Sequence, residues 1–157
     1  MSMNLRIPSF LQSAAPACLL ALASSLAQAQ LAIEITGAGA NRMPVAVASF
    51  EGESALPRAV TDVVRADLER SGIFKMVELG PGPMGADAPV DFGRVRSRGA
   101  DAVAVGTFSP SGGRYQVQVR LHDAAKQVSL GSQAMVMSPN QYRTTGHRIS
   151  DFIYEKL

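Results

Sequence analysis

The sequence predicts an α/β fold, a mixed β-sheet with helices packed against it. Three observations predict it. Apolar residues switch along the chain from a period of two to the helical period and back. Between Pro44 and Leu79 a strand, a helix and a second strand follow one another at the length of a right-handed crossover, which joins parallel strands. Between Ala102 and Leu121 two further strand-like segments flank a turn rich in Ser, Pro and Gly, which reads as an antiparallel hairpin.

Leu31, Ile33 and Ile35 alternate with Ala32, Glu34 and Thr36, giving a short strand followed by a Gly-rich connector from Gly37 to Asn41. From Val45 to Phe50 the apolar character is nearly continuous, as in a strand buried on both faces. Leu56, Val60, Val63, Val64 and Leu68 then share one helical face, and Arg58, Asp62, Arg65 and Glu69 take the other. Ser54 is placed to cap this helix, and Gly72 to end it in the left-handed conformation. Ile73–Leu79 is predicted as a strand and Gly80–Pro89 as a loop. A short helix is expected over Asp91–Arg98, ended by Gly99.

Ala102–Phe108 is a second buried-type strand, Ser109–Gly113 the turn, and Tyr115–Leu121 the alternating partner. Val128–Met137 supplies one more strand. Ser138, Pro139 and Gln141 then have the spacing of a capping box, opening a closing helix whose apolar residues include Tyr142, Ile149, Phe152 and Ile153.

The N-terminus reads as an address. Arg6 is the sole charged side chain before Glu34, Ala14–Leu26 is apolar, and Ala27-Gln28-Ala29 is a small-x-small cleavage pattern. The apolar stretch covers about 20 Å as a helix, short of the ~30 Å of a bilayer core. An acylated Cys18 is the lipoprotein alternative, but Ala15-Pro16-Ala17 lacks the usual Leu, and most of the apolar run follows the cysteine. Cleavage after Ala29 removes Arg6 and Cys18, leaving 128 residues with no cysteine and a net charge of +1. No later apolar run is long enough to span a membrane, so no span is expected after cleavage.

Composition excludes several kinds of chemistry. Fifteen Lys and Arg against 13 Asp and Glu fall far short of a nucleic-acid-binding surface. Arg94, Arg96 and Arg98 are the one basic run, and at spacing two they cannot share a helix face, so a solvated surface is expected there. The mature chain offers no cysteine nucleophile and no G-x-S-x-G elbow. Its imidazoles are His122, which ends the alternating strand beside Asp123 before a turn and reads as a surface residue rather than a base, and His147, expected to face water or pack on the sheet. No pair such as D-x-D or H-E-x-x-H is present to hold a metal, so neither metal nor cofactor is expected.

Two glycine patterns fail as phosphate loops. After Gly37-Ala38-Gly39 the third glycine position is Arg42, and in Gly80–Gly85 two of the backbone donors are lost to Pro81 and Pro83. An exported domain without catalytic equipment points to a binding module. The alternating strand at 31–36 is then either an edge strand of the core or a free strand able to extend a partner's sheet.

The blocks Ile33-Glu34-Ile35-Thr36, Pro44-Val45-Ala46-Val47 and Ala66–Phe74 resemble, in order, the N-terminal domain of the TolB family. So do Gly99–Gly106, Tyr115–Asp123 and His147–Leu157, with Val95 and Arg98 standing where the family tends to have Trp and Leu. The resemblance implies a mixed five-stranded sheet with helices, like the anticodon-binding domains of some tRNA synthetases, a likeness of fold alone.

The resemblance also implies a non-enzymatic periplasmic adaptor of the Tol-Pal system, supporting outer-membrane integrity and constriction during cell division. The TolA C-terminal domain would bind the mature N-terminal segment Gln30, Leu31, Ala32, Ile33, Glu34, Ile35 and Thr36. The family continues into a β-propeller that contacts Pal, and this chain stops at Leu157, where that domain would begin, so Pal is expected as a partner only where a propeller is present. The expected organisation is a signal peptide over 1–29, a TolA-binding strand and hinge over 30–41, and the α/β domain over 42–157. The alternative is an exported α/β module that binds a small molecule in the cleft at its strand ends. Nucleic-acid binding by analogy with the anticodon-binding fold conflicts with export and near-neutral charge.

Overall fold

The structure, a computed structural model, describes residues 41–157. Strand β1 (Met43–Val47) leads into helix α1 (Leu56–Arg70) and strand β2 (Phe74–Met76). Helix α2 (Phe92–Ser97) precedes strands β3 (Ala102–Ser111), β4 (Arg114–Asp123) and β5 (Val128–Met137). A 3-10 turn (Pro139–Gln141) opens helix α3 (Tyr142–Lys156). The strands form one five-stranded sheet in the order β2-β1-β3-β4-β5. β1 lies parallel to both β2 and β3, and β3, β4 and β5 run as an antiparallel meander. The expected α/β class with a mixed five-stranded sheet and helices against it is the fold observed.

The sheet's period of two sorts the core into two layers. Val45, Val47, Ala102, Ala104, Val117, Val119 and Leu121 face α1 and α3, meeting Val60, Val64, Leu68, Ile149 and Ile153. Ala46, Val103 and Val105 point the other way, onto Val95 of α2. Each fully buried Val, Leu or Ile contributes about 1.5–3 kcal/mol, so the large helices carry most of the stability and α2 covers little. Val95 is fully buried, so the departure from the family residue leaves that short helix anchored.

The bounds of α1 and β5 match the periodicity, and the β1–β2 pair is parallel as the crossover requires. Four details differ. The buried face of α1 is shifted toward Pro57 and Thr61, while Leu56 and Val63 are half-buried. Its N-cap is Ala55 rather than Ser54, although Ser54 Oγ still accepts from the Leu56 N–H at 3.3 Å.

β2 is three residues long, not seven. The Val77 N–H still reaches the Val45 carbonyl at 2.9 Å, but Leu79 then enters the α2 side of the core and the chain leaves the sheet. β3 and β4 extend through the segment expected as a turn, leaving Gly112 and Gly113 alone at φ +55° and +77°. Positive φ at both central residues is what a tight two-residue hairpin demands.

The capping box forms as expected between Ser138 and Gln141, and its clearer bond is the Ser138 N–H donating to Gln141 Oε1 at 2.9 Å. Gly72 and Gly99 have positive φ after α1 and α2, as expected of glycines that end helices.

Candidate functional site

The segment singled out for partner binding, Gln30–Thr36, lies outside the described residues, as do the signal peptide over 1–29 and the connector up to Ala40. The described residues instead show how the domain uses the polar groups that could have served chemistry.

Arg65 was expected on the solvent side of α1. Its guanidinium folds back onto the end of β1, where Nε and Nη2 both donate to the Val47 carbonyl, at 3.1 and 2.6 Å. Here the parallel ladder ends and a carbonyl needs a donor. Two members of the basic run act similarly. Arg94 donates through Nε and Nη2 to the Leu79 carbonyl at 3.1 and 2.8 Å, and through Nη2 to Pro81 at 2.9 Å. Arg96 donates to the Ala124 carbonyl at 3.2 Å. The run was expected to be a solvated face; Arg96 and Arg98 are exposed, while Arg94 is half-buried, and Arg94 and Arg96 also staple loops to α2.

The Gly80–Gly85 loop opens no helix. The Met84 N–H donates to the Ser49 carbonyl at 2.9 Å and the Ala86 N–H to Thr107 Oγ1 at 2.8 Å. Donors that would cradle a phosphate are thus used to hold the loop against β3 and the segment after β1, as its reading as a connector requires.

His122 lies at the end of β4 beside Asp123, where the alternation placed it. Its ring is half-buried and meets Phe92 edge-on at 5.8 Å between centroids, with Nε2 buried and without a hydrogen-bond partner. Burial, and secondarily the Arg120 charge, push its pKa below the ordinary 6.5.

His147 joins the two large helices. Its Nδ1 lies 2.5 Å from Asp67 Oδ2 on α1, and Ser150 Oγ donates to the same oxygen at 3.3 Å. Arg70 closes on Asp67 Oδ1 at 3.2 Å. A groove of about 350 Å³ opens beside this cluster, lined in part by Ser71, Asp151 and Tyr154.

Ser, His and Asp therefore meet here, which the sequence did not disclose because Asp67 and His147 are 80 residues apart. The wiring differs from that of a nucleophilic triad. Both Ser150 and His147 address the carboxylate, and Ser150 Oγ also donates to the Gly146 carbonyl at 3.0 Å, so the hydroxyl is bonded away from the imidazole. The cluster fastens α3 to α1.

Among the described residues, no group of three or more His, Cys, Asp or Glu is placed to hold a metal. Among them also, no helix is long and apolar enough to cross a membrane.

The chain is similar to known proteins. The family described as the TolB amino-terminal domain matches residues 31–130. A Tol-Pal system protein TolB from Aromatoleum aromaticum is 56% identical over 142 residues, covering 90% of this chain and 33% of that protein. Its counterpart from Dechloromonas aromatica is 54% identical over 142 residues, covering 88% and 33%. The chain thus spans about a third of the length of the curated relatives it matches. The crystal structure of TolB from Acinetobacter baumannii superposes with a TM-score of 0.62 at 23% identity, over 73% of this chain and 28% of that one, a likeness of fold. With residues 31–130 matched and more than half the aligned residues identical to those of TolB proteins, the chain belongs to the TolB amino-terminal domain family.

Proposed function

We propose that this domain is a non-enzymatic adaptor of the Tol-Pal system, working in the periplasm after removal of residues 1–29. The segment Gln30–Thr36 binds the C-terminal domain of TolA, residues 37–41 serve as its hinge, and 42–157 form the α/β body. In the longer relatives, a propeller joins the body to Pal, which links the inner-membrane TolA to the outer membrane and supports envelope integrity and constriction at division. By itself the chain binds Pal weakly or not at all.

The observation that carries this reading is family membership: the match starts at Leu31 and so includes the alternating segment through Thr36. Its chemistry suits the role. Leu31, Ile33 and Ile35 alternate with Ala32, Glu34 and Thr36 beside a Gly-rich connector, a pattern suited to adding a strand to the edge of a partner's sheet. The use of Arg65, Arg94, Ser150 and His147 in fastening the fold accords with a role in binding rather than catalysis.

A synthetic peptide of Gln30–Thr36 tests it by competition. The peptide should displace the mature chain from the TolA C-terminal domain, and a scrambled peptide should not. Failure of the native peptide to compete at saturating concentration contradicts the reading.

A further inference from the structure

The two edges of the sheet are built differently. β2 offers three residues, one of them Lys75. β5 offers ten, VSLGSQAMVM, with no charge and no proline, the usual devices by which native edges repel an added strand. Its register against β4 is disturbed between Leu121 and His122 and runs regularly from Ser132 to Met137. Among the described residues, no strand pairs with the outer side of that stretch.

A groove flanks this edge on each face. On the helix side a groove of about 350 Å³ separates β5 from the outer face of α3, lined by Gln133, Arg148, Asp151, Phe152 and Glu155. Arg148, Asp151 and Glu155 are three and four residues apart and share one helix face. Two carboxylates against one guanidinium leave the groove net negative. Lys156 does not line the groove, and its stem lies over Gly131 beside Phe152. Gln133 Oε1 is buried without a hydrogen-bond partner, an acceptor in want of a donor.

On the open side a groove of about 310 Å³ is lined by Gln116, Gln118, Ala134 and Val136. Val136 is 57% exposed there, the most exposed large apolar side chain among the described residues.

We propose that the outer edge of β5 between Ser132 and Met137 receives an extended segment of a partner protein by strand addition. The partner segment alternates basic and small apolar residues. A strand's period of two sends its basic side chains to Asp151 and Glu155 and its apolar ones to Ala134 and Val136. A second copy of β5 matches this surface poorly, because it would bring Gln133 and Met135, and no cation, to the carboxylates.

The probe is a blocked peptide of alternating lysine and valine, with a control in which glutamate replaces lysine, each titrated into the full chain. Amide hydrogen exchange and thermal unfolding are followed together. The lysine peptide should slow exchange at alternate amides of Ser132–Met137, and the glutamate peptide should not. The exposed double variant Asp151→Lys/Glu155→Lys should weaken the lysine peptide by about tenfold, leave the unfolding midpoint in place, and gain affinity for the glutamate peptide. Equal binding of the two peptides, or protection elsewhere than β5, would overturn the proposal. So would β5 amides already protected in the free chain, or self-association through β5 without peptide uptake.

Discussion

His147 on α3 and Asp67 on α1 meet across the helix pair, with Nδ1 and Oδ2 2.5 Å apart. The carboxylate is largely sheltered, and the imidazole is more than half exposed. Asp67 also accepts from Ser150 and pairs with Arg70. His147→Ala should therefore cost about 0.5–1 kcal/mol, as an exposed pair does. Asp67→Ala should cost more, about 1–3 kcal/mol, since it removes the partner of His147, Arg70 and Ser150 at once. Urea unfolding of both variants checks the order; an Asp67 variant no less stable than the His147 variant would contradict it.

The same helix pair depends on a close approach. A Cβ added to Gly146 of α3 would lie 2.5 Å from Val63 Cγ1 and 2.7 Å from Val63 Cβ on α1. Gly146→Ala gains about 1 kcal/mol of helix propensity but overpacks the interface by about 1–3 kcal/mol. The variant should be destabilised, and by less in a Val63→Ala background, where the Cγ1 contact is gone and the Cβ contact stays. Thermal unfolding of the three chains reads the coupling, and additive effects would show that the contact is not the cause.

Arg65 supplies both hydrogen bonds seen at the Val47 carbonyl at the end of β1. Arg65→Ala leaves that oxygen without its donor and should cost about 1–3 kcal/mol. Arg65→Lys should recover part of the loss, because an ammonium can donate once but not through the guanidinium's fork. Equal stability of the alanine variant and the parent would remove Arg65 from the account.

His122 makes stability pH-dependent. Burial first, and Arg120 second, hold its imidazole below the ordinary 6.5, so the folded chain binds fewer protons there than the unfolded chain. Stability should therefore fall as pH drops below 6.5 toward the folded-state value, and be regained above it. The difference in unfolding free energy between pH 7.5 and pH 5.5, both about a unit from that ordinary value, should shrink in His122→Gln. An unchanged difference would place the titration elsewhere.

Elements with strong local periodicity were legible in the sequence. The helix over Leu56–Arg70 and the strand over Val128–Met137 were read with their observed bounds because burial repeats there at one clear period. β2 was overextended: Ile73–Leu79 has a strand-like composition, but its length is set by where Leu79 finds a core on the opposite face, a long-range fact. The hairpin turn was read too wide because Pro110 suggests a turn, whereas the paired glycines behind it make one.

The polar side chains were the least legible. Arg65, Arg94 and Arg96 have the helix positions of solvated residues, and only the folded chain brings unpaired carbonyls within their reach. Asp67 and His147 gave no local signal at all. The segment assigned to TolA rests on alternation, a glycine connector and family resemblance.

The central claim is that Gln30–Thr36 carries the contact with TolA while the α/β body folds without it. Isothermal titration of the TolA C-terminal domain against residues 30–157 and against residues 37–157, with urea unfolding of both chains, tests it most directly. The account predicts binding by the longer chain, none by the shorter, and equal cooperative unfolding of the two. Undiminished affinity in the shorter chain would contradict it.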